Sequence, residues 1–259
     1  MQLQKGQTGI VRRGMENDEL KSREKKLRAI RNIFFRSSVE DLWFDILKGM
    51  VNENHDVLEI GSGSGKGKQN KLYPSANKIV GIDLDERVLQ NPYLDKAYCI
   101  NAYKISDVIT DAKFDFIYSH MVAEHIDDAK KFITCQVDLL KDGGVLFHST
   151  VSNYYWTSII NDFVPVSIKN YLIKSLGSGR TADDVFPAHY LLNSESDIRK
   201  ICDDLNLLYE ITRQDEPPGY LRRSYALMLI YTAIHKPLQF IFPSLRPTFI
   251  FKIFSTSHA

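Results

Sequence analysis

Asp56-Val57-Leu58-Glu59-Ile60 runs into Gly61-Ser62-Gly63-Ser64-Gly65, and Gly81-Ile82-Asp83 follows further along the chain. Two short apolar runs thus each carry an acidic residue at or near the end. The loop after the first has glycine at every second position. Glycine allows a tight turn and leaves no Cβ between the backbone and a ligand. A carboxylate beside such a loop can accept from sugar hydroxyls or attract a cationic group. This combination suits a cradle for a nucleoside-bearing cofactor at the carboxyl edge of a parallel sheet.

The spacing discriminates among loop types. A dinucleotide fingerprint, Gly-x-Gly-x-x-Gly counted from Gly61, would need glycine where Lys66 stands. A P-loop, Gly-x-x-x-x-Gly-Lys-Ser/Thr, would need it at Ile60 for Lys66 or at Ser62 for Lys68. Neither lysine is followed by Ser or Thr, so the magnesium ligand is missing too. What remains is Glu-x-Gly-x-Gly-x-Gly. A helix starting near Lys66 would turn its free N–H groups to the ligand.

With this loop, the chain resembles the class I S-adenosylmethionine (SAM)-dependent methyltransferases. Phe114-Asp115-Phe116-Ile117 leading into Glu124-His125-Ile126 is similar to their segment around the fourth strand, and Leu140-Lys141-Asp142-Gly143-Gly144 to their turn before the fifth. Residues 50–150 carry this likeness. Asp184-Val185-Phe186-Pro187-Ala188-His189-Tyr190, Asn193-Ser194 and Leu245-Arg246-Pro247 resemble a looser group of bacterial methyltransferases of poorly defined substrate.

The resemblance implies a site. Glu59, Gly61, Ser62, Gly63, Gly65, Asp83, Leu84, Asn101, Ala102 and His120 would contact the cofactor. Glu59 would attract the methionine end, Asp83 would grip the ribose hydroxyls, and the Asn101 carbonyl would accept from the adenine amino group. Asn101 could equally be a turn residue. The catalytic candidates are His120, His125 and His189. His120 leads as a base because it follows the fourth strand and imidazole titrates near neutrality. Each histidine could instead be a hydrogen-bonded structural residue. Tyr154, Tyr155, Trp156, His189 and Tyr190 would face the acceptor. Some relatives that methylate quinone precursors have a further Glu where this chain has Met121, so no metal is expected.

The elements that must position these groups follow from patterning. The resemblance implies an α/β fold: a Rossmann-like, seven-stranded, mostly parallel sheet flanked by helices, with a helical cap insertion. Within one domain, 1–50 would form N-terminal helices, 51–150 the SAM-binding core, 151–190 the cap and 191–259 the C-terminal part of the sheet. Leu42, Trp43, Ile46, Leu47 and Met50 fall at helical spacing after Ser38, a plausible cap. Ser194 could cap a helix to about Leu205, and Leu207 to Arg213 and Phe249 to Phe254 read as strands. Ser224 to Ile234 is apolar but too short to cross a bilayer. The stretch 225–243 either packs on the sheet or meets a lipid or another subunit.

Composition bounds the rest. The 259 residues carry a formal net charge of +1, so bulk electrostatics argues against nucleic acid. Arg12, Arg13, Lys21, Arg23, Lys25 and Lys26 tint the N-terminus basic, but acidic residues interleave. Cys99, Cys135 and Cys202 form no metal or redox pattern, and with no signal peptide they suggest the reducing cytoplasm. The expected activity is methyl transfer to an O, N or C acceptor on a small or lipid-linked molecule, such as a natural product or glycan intermediate. Peripheral membrane contact and a homodimer are both compatible with it. The alternatives are an NAD-dependent oxidoreductase, which the glycine spacing disfavours, and a noncatalytic SAM-binding protein.

Overall fold

The computed structural model describes residues 39–110, 112–154, 188–215 and 225–255, with Ser22, Lys25 and Ala29. The expected basic N-terminal helix, the Ser38 cap, most of the 151–190 insertion, Tyr155 and Trp156 lie outside the described residues.

Leu58 and Ile60 alternate with Val57 and Glu59 along β1 (Asp56–Ile60), and four of its five residues are buried. A strand buried on both faces belongs inside a parallel sheet. β1 pairs in parallel with β2 (Lys78–Asp83) on one side and β4 (Phe114–His120) on the other. β3 (Lys96–Cys99) extends the sheet beyond β2, and β5 (Leu140–Val151) beyond β4. β7 (Thr248–Phe254) lies antiparallel between β5 and β6 (Leu208–Gln214). The order is β3-β2-β1-β4-β5-β7-β6, seven strands as expected. Chain direction across the sheet reverses between β1 and β4, where open α/β sheets place their ligands.

Two apolar clusters cover the faces. Leu58, Ile60, Ile82, Ile117, Leu146 and Phe251 pack with Ile105 of α2 (Ile105–Val108), Phe132 and Ile133 of α3 (Ala129–Val137) and Ile198 of α4 (Glu195–Asp204). Val57, Tyr118, Phe147 and Ile250 pack with Trp43 and Leu47 of α1 (Val39–Met50). The helical stripe of α1 is therefore core. Ser194 caps α4 as expected, its Oγ accepting from the Asp197 N–H at 3.1 Å.

Three local expectations are corrected. After the glycine loop the chain forms a 3-10 helix over Lys68–Ser75 rather than a helix opening at Lys66, and Pro74 sits inside it. α3 ends at Val137, so Gly143 and Gly144 do not terminate a helix. They form an irregularity inside β5, where pairing shifts between Phe114 and Phe116. Gly143 has φ +75°, and a Cβ on Gly144 would meet the Lys141 carbonyl at 2.9 Å. Lys141 Nζ then reaches Asp115 at 2.7 Å and Asp56 at 2.9 Å, while Asp115 also accepts from the Asp56 N–H. The Phe-Asp pair of the fourth strand is thus a clamp at the amino edge of the sheet, away from the cofactor edge.

Residues 39–214 with 244–259 form one compact unit containing the sheet, and 215–243 belong with 1–38 to a second. In that second unit α5 (Tyr225–Ile241) continues through Pro237, longer than the apolar run suggested. Tyr231 stacks on His235, and Phe240 is 88 % exposed. Among the described residues, no helix is long and apolar enough to cross a membrane.

Candidate active site

The loop after β1 folds back on β2 through its own backbone. The N–H groups of Gly61 and Ser62 both donate to the Ile82 carbonyl, at 2.8 and 3.2 Å, and Ser62 Oγ donates to the Glu59 carbonyl. Gly61 has φ +80°, and a Cβ there would overlap Val122 Cγ2 at 2.4 Å. The approach of loop to strand also needs Gly81, since a Cβ on it would stand 2.5 Å from Ser62 Oγ. Asn91, which no motif pointed to, ties the loop from beneath, with Nδ2 donating to the Ser62 and Gly63 carbonyls.

Asp83 ends β2 at the rim of this loop. One carboxylate oxygen accepts from the Gly63 N–H at 2.8 Å and the other from the Asp85 N–H at 2.9 Å. Each oxygen keeps further acceptor capacity. A cavity of about 480 Å³ opens at the point where the sheet reverses. It brings together Gly61, Asp83, Leu84, Asn101, Ala102, His120, His125 and His189 of the expected site. Its size is typical of small-molecule pockets.

Several expected residues stand elsewhere. Glu59 is 3 % exposed and does not line the cavity. It shares a strand face with Val57, beside Gln69 and Tyr118, and burial raises its carboxyl pKa to about 7. Ser62, Gly63 and Gly65 shape the loop without lining the cavity. Asn101 Oδ1 accepts from the Tyr103 N–H at 2.9 Å, so the carbonyl expected for adenine already caps a turn and has one site left. Tyr154 lines a different recess. Tyr190 has φ +56° and, like His189, donates its backbone N–H to the Glu124 carbonyl.

His120 is half-buried against Trp43, with ring centroids 4.5 Å apart, and its Nδ1 lies 2.6 Å from Ser149 Oγ. Burial pushes its pKa down to about 4, which corrects the expectation of titration near neutrality. Glu124 is buried and accepts from Thr150 Oγ1 at 3.1 Å; Asn193 Nδ2 donates to Thr150 Oγ1 at 2.8 Å and to the Val151 carbonyl. This layer holds the His189 segment over the cavity. Sequence reasoning missed Tyr103, another lining residue. Its hydroxyl donates to Asp127 Oδ1 at 2.7 Å and accepts from the Asp127 and Asp128 N–H groups.

The cradle fits SAM on its own terms. The glycines clear the backbone, Asp83 retains acceptor sites, and the cavity is large enough. Comparisons with known proteins agree. The family model described as "Methyltransferase domain" matches residues 34–209. The mitochondrial ubiquinone biosynthesis O-methyltransferase of Dictyostelium discoideum is 28 % identical over 126 residues, covering 41 % of this chain and 38 % of that protein. The ubiquinone biosynthesis O-methyltransferase of Hydrogenovibrio crunogenus is 26 % identical over 129 residues, covering 47 % and 53 %. The chain thus spans about half or less of these relatives. A SAM-dependent methyltransferase structure from Archaeoglobus fulgidus superposes with a TM-score of 0.52 at 13 % identity, over 85 % of this chain and 96 % of that one. The family model's match to more than half of the chain settles the assignment: the chain belongs to the methyltransferase domain family and has the class I methyltransferase fold.

Proposed function

We propose that the protein transfers a methyl group from SAM to a hydroxyl oxygen on a small molecule. The observation that carries the reading is Asp83, fixed by the Gly63 and Asp85 N–H groups at the mouth of the switch-point cavity. Oxygen is favoured as the acceptor because both curated relatives described above are named O-methyltransferases. SAM, when bound there, supplies an activated methyl group on its sulfonium.

The chain's own residues bind, orient and exclude water. Asp83 would hold the nucleoside against Gly61, with Leu84, Asn101 and Ala102 beside it. Alignment of the acceptor, about 3 Å from the methyl carbon, is the main source of rate. His120 is neutral at pH 7 and positioned by Ser149. With a pKa of about 4 it is a poor proton acceptor: taking a proton from a phenol near 10 would be uphill by about 8 kcal/mol. It therefore orients the acceptor by hydrogen bonding. His125 is half-buried and His189 exposed, and from the cavity rim either can pass a proton to solvent.

The test is a titration with SAM by calorimetry, followed by S-adenosylhomocysteine release across hydroxylated, amino and carbon acceptors. Binding of SAM with turnover confined to hydroxylated acceptors is expected. Turnover confined to amines would overturn the oxygen assignment, and failure to bind SAM would overturn the reading as a whole.

A further inference from the structure

The Leu245-Arg246-Pro247 segment plays no part in the cleft described above, yet the fold fixes it with care. Ser152, just past β5, donates its N–H to the Pro247 carbonyl at 2.8 Å and its Oγ to the Ser244 carbonyl at 3.2 Å. These two bonds staple residues 244–247 to the end of β5. The result is a recess of about 310 Å³ lined by Arg246, Arg213, Glu195, Ser152, Thr248 and Tyr154, among others. Val151 pairs with Thr248, so the recess opens at the same sheet edge as the SAM cavity. The hydrogen-bonded layer of Glu124, Thr150 and Asn193 lies between them: Glu124 lines the first cavity, and Ser194, next to Asn193, lines the second.

Charge in the recess is unbalanced. Glu195 is its one carboxylate among the described residues, and Arg213 and Arg199 both pair with it. Arg246 is half-buried and forms no ion pair with any described residue. A guanidinium without a carboxylate partner keeps its N–H donors available to a ligand in the recess. Its planar fork matches the two oxygens of a phosphate or carboxylate. Ser194, Glu195 and Ser196 at the start of α4 also line the recess, with the Asp197 N–H already taken by Ser194 Oγ.

We propose that the Arg246 recess binds an oxyanion, phosphate or carboxylate, carried by the methyl acceptor. The link to the acceptor rests on the methyl-transfer reading of the neighbouring cavity; the anion site itself does not. An acidic acceptor would be anchored by Arg246 while its hydroxyl reaches the cavity beside His120.

The full chain is titrated with inorganic phosphate and with acetate at constant ionic strength, and with SAM in parallel, for the wild type, Arg246→Gln and Arg246→Lys. Saturable binding of at least one anion is expected. Its Kd should rise about tenfold or more in Arg246→Gln and less in Arg246→Lys, with SAM affinity unchanged within about twofold. The stronger of the two anions identifies the acceptor's acidic group. Absence of binding by either anion, or equal binding by Arg246→Gln, would overturn the proposal. So would loss of SAM binding in both variants, which would mark Arg246 as structural. If the wild type binds phosphate but not SAM, the recess stands and the methyl-transfer reading fails.

Discussion

Asp83 accepts from two backbone N–H groups, so its removal does more than delete a ligand contact. The loop would lose the anchor at Gly63 and the cavity its acceptor. A hydrogen bond to a charged group is worth about 1.5–3 kcal/mol. Asp83→Ala is therefore expected to weaken SAM binding by about 10- to 100-fold, and Asp83→Asn by less, in calorimetric titrations. An unchanged Kd would remove Asp83 from the ribose site. His120 makes a different prediction. Its depressed pKa places its titration below the usual assay range. His120→Gln should lower kcat yet leave the shape of the pH–rate profile between about pH 6 and 8 as in the wild type. Loss of a limb in that range would show that His120 is the base after all.

At the scale of elements, the glycine loop and β2 work as one piece, joined where Gly81 faces Ser62. Gly81→Val would press a side chain onto Ser62 Oγ and Leu94, both well inside contact distance. Overpacking of this kind costs about 1–3 kcal/mol. The variant should melt several degrees lower and bind SAM weakly. The α4 cap offers a milder test: Ser194→Ala should cost about 1 kcal/mol in urea unfolding, with SAM affinity retained. The strands were legible because β1, β2, β4 and β7 are apolar runs bounded by turn residues, and the loop was legible because its glycine spacing excludes its rivals. The Ser194 cap was readable for the same local reason. What sequence hid depends on groups distant along the chain. Asn91 under the loop, the Lys141 clamp and the Ser149 partner of His120 are side chains brought in by folding, with no local signature. Glu59 was legible as an acidic strand end, but its burial beside Gln69 and Tyr118 is set by α1 and the 3-10 helix covering that face.

Among the described residues, three deeply buried titratable groups shape the acid response, and they do not act in one direction. Burial holds His148 at about 3, between Phe132 and Phe251, and His120 at about 4, against an ordinary value of 6.5. Burial holds Glu59 at about 7 against 4.5. Between about pH 4.5 and 6.5 the unfolded chain carries two extra protons on the histidines, while the native chain carries one extra on Glu59. The net excess of one proton that these three groups leave on the unfolded state makes stability rise with pH, by about 1.4 kcal/mol per unit, and His235, whose pKa burial also lowers, acts in the same direction. Asp56 and Glu195, whose pKa values their cationic partners lower, titrate below this window. Glu59→Gln removes the opposing contribution. The slope of unfolding free energy against pH should then steepen by about 1.4 kcal/mol per unit between pH 4.5 and 6.5. The variant's advantage over the wild type should grow by about 3 kcal/mol from pH 4.5 to 7. Denaturant unfolding of both proteins at half-unit pH steps measures this directly. Parallel curves would mean that Glu59 is ionised in the native protein, and its burial beneath the glycine loop would no longer account for its chemistry.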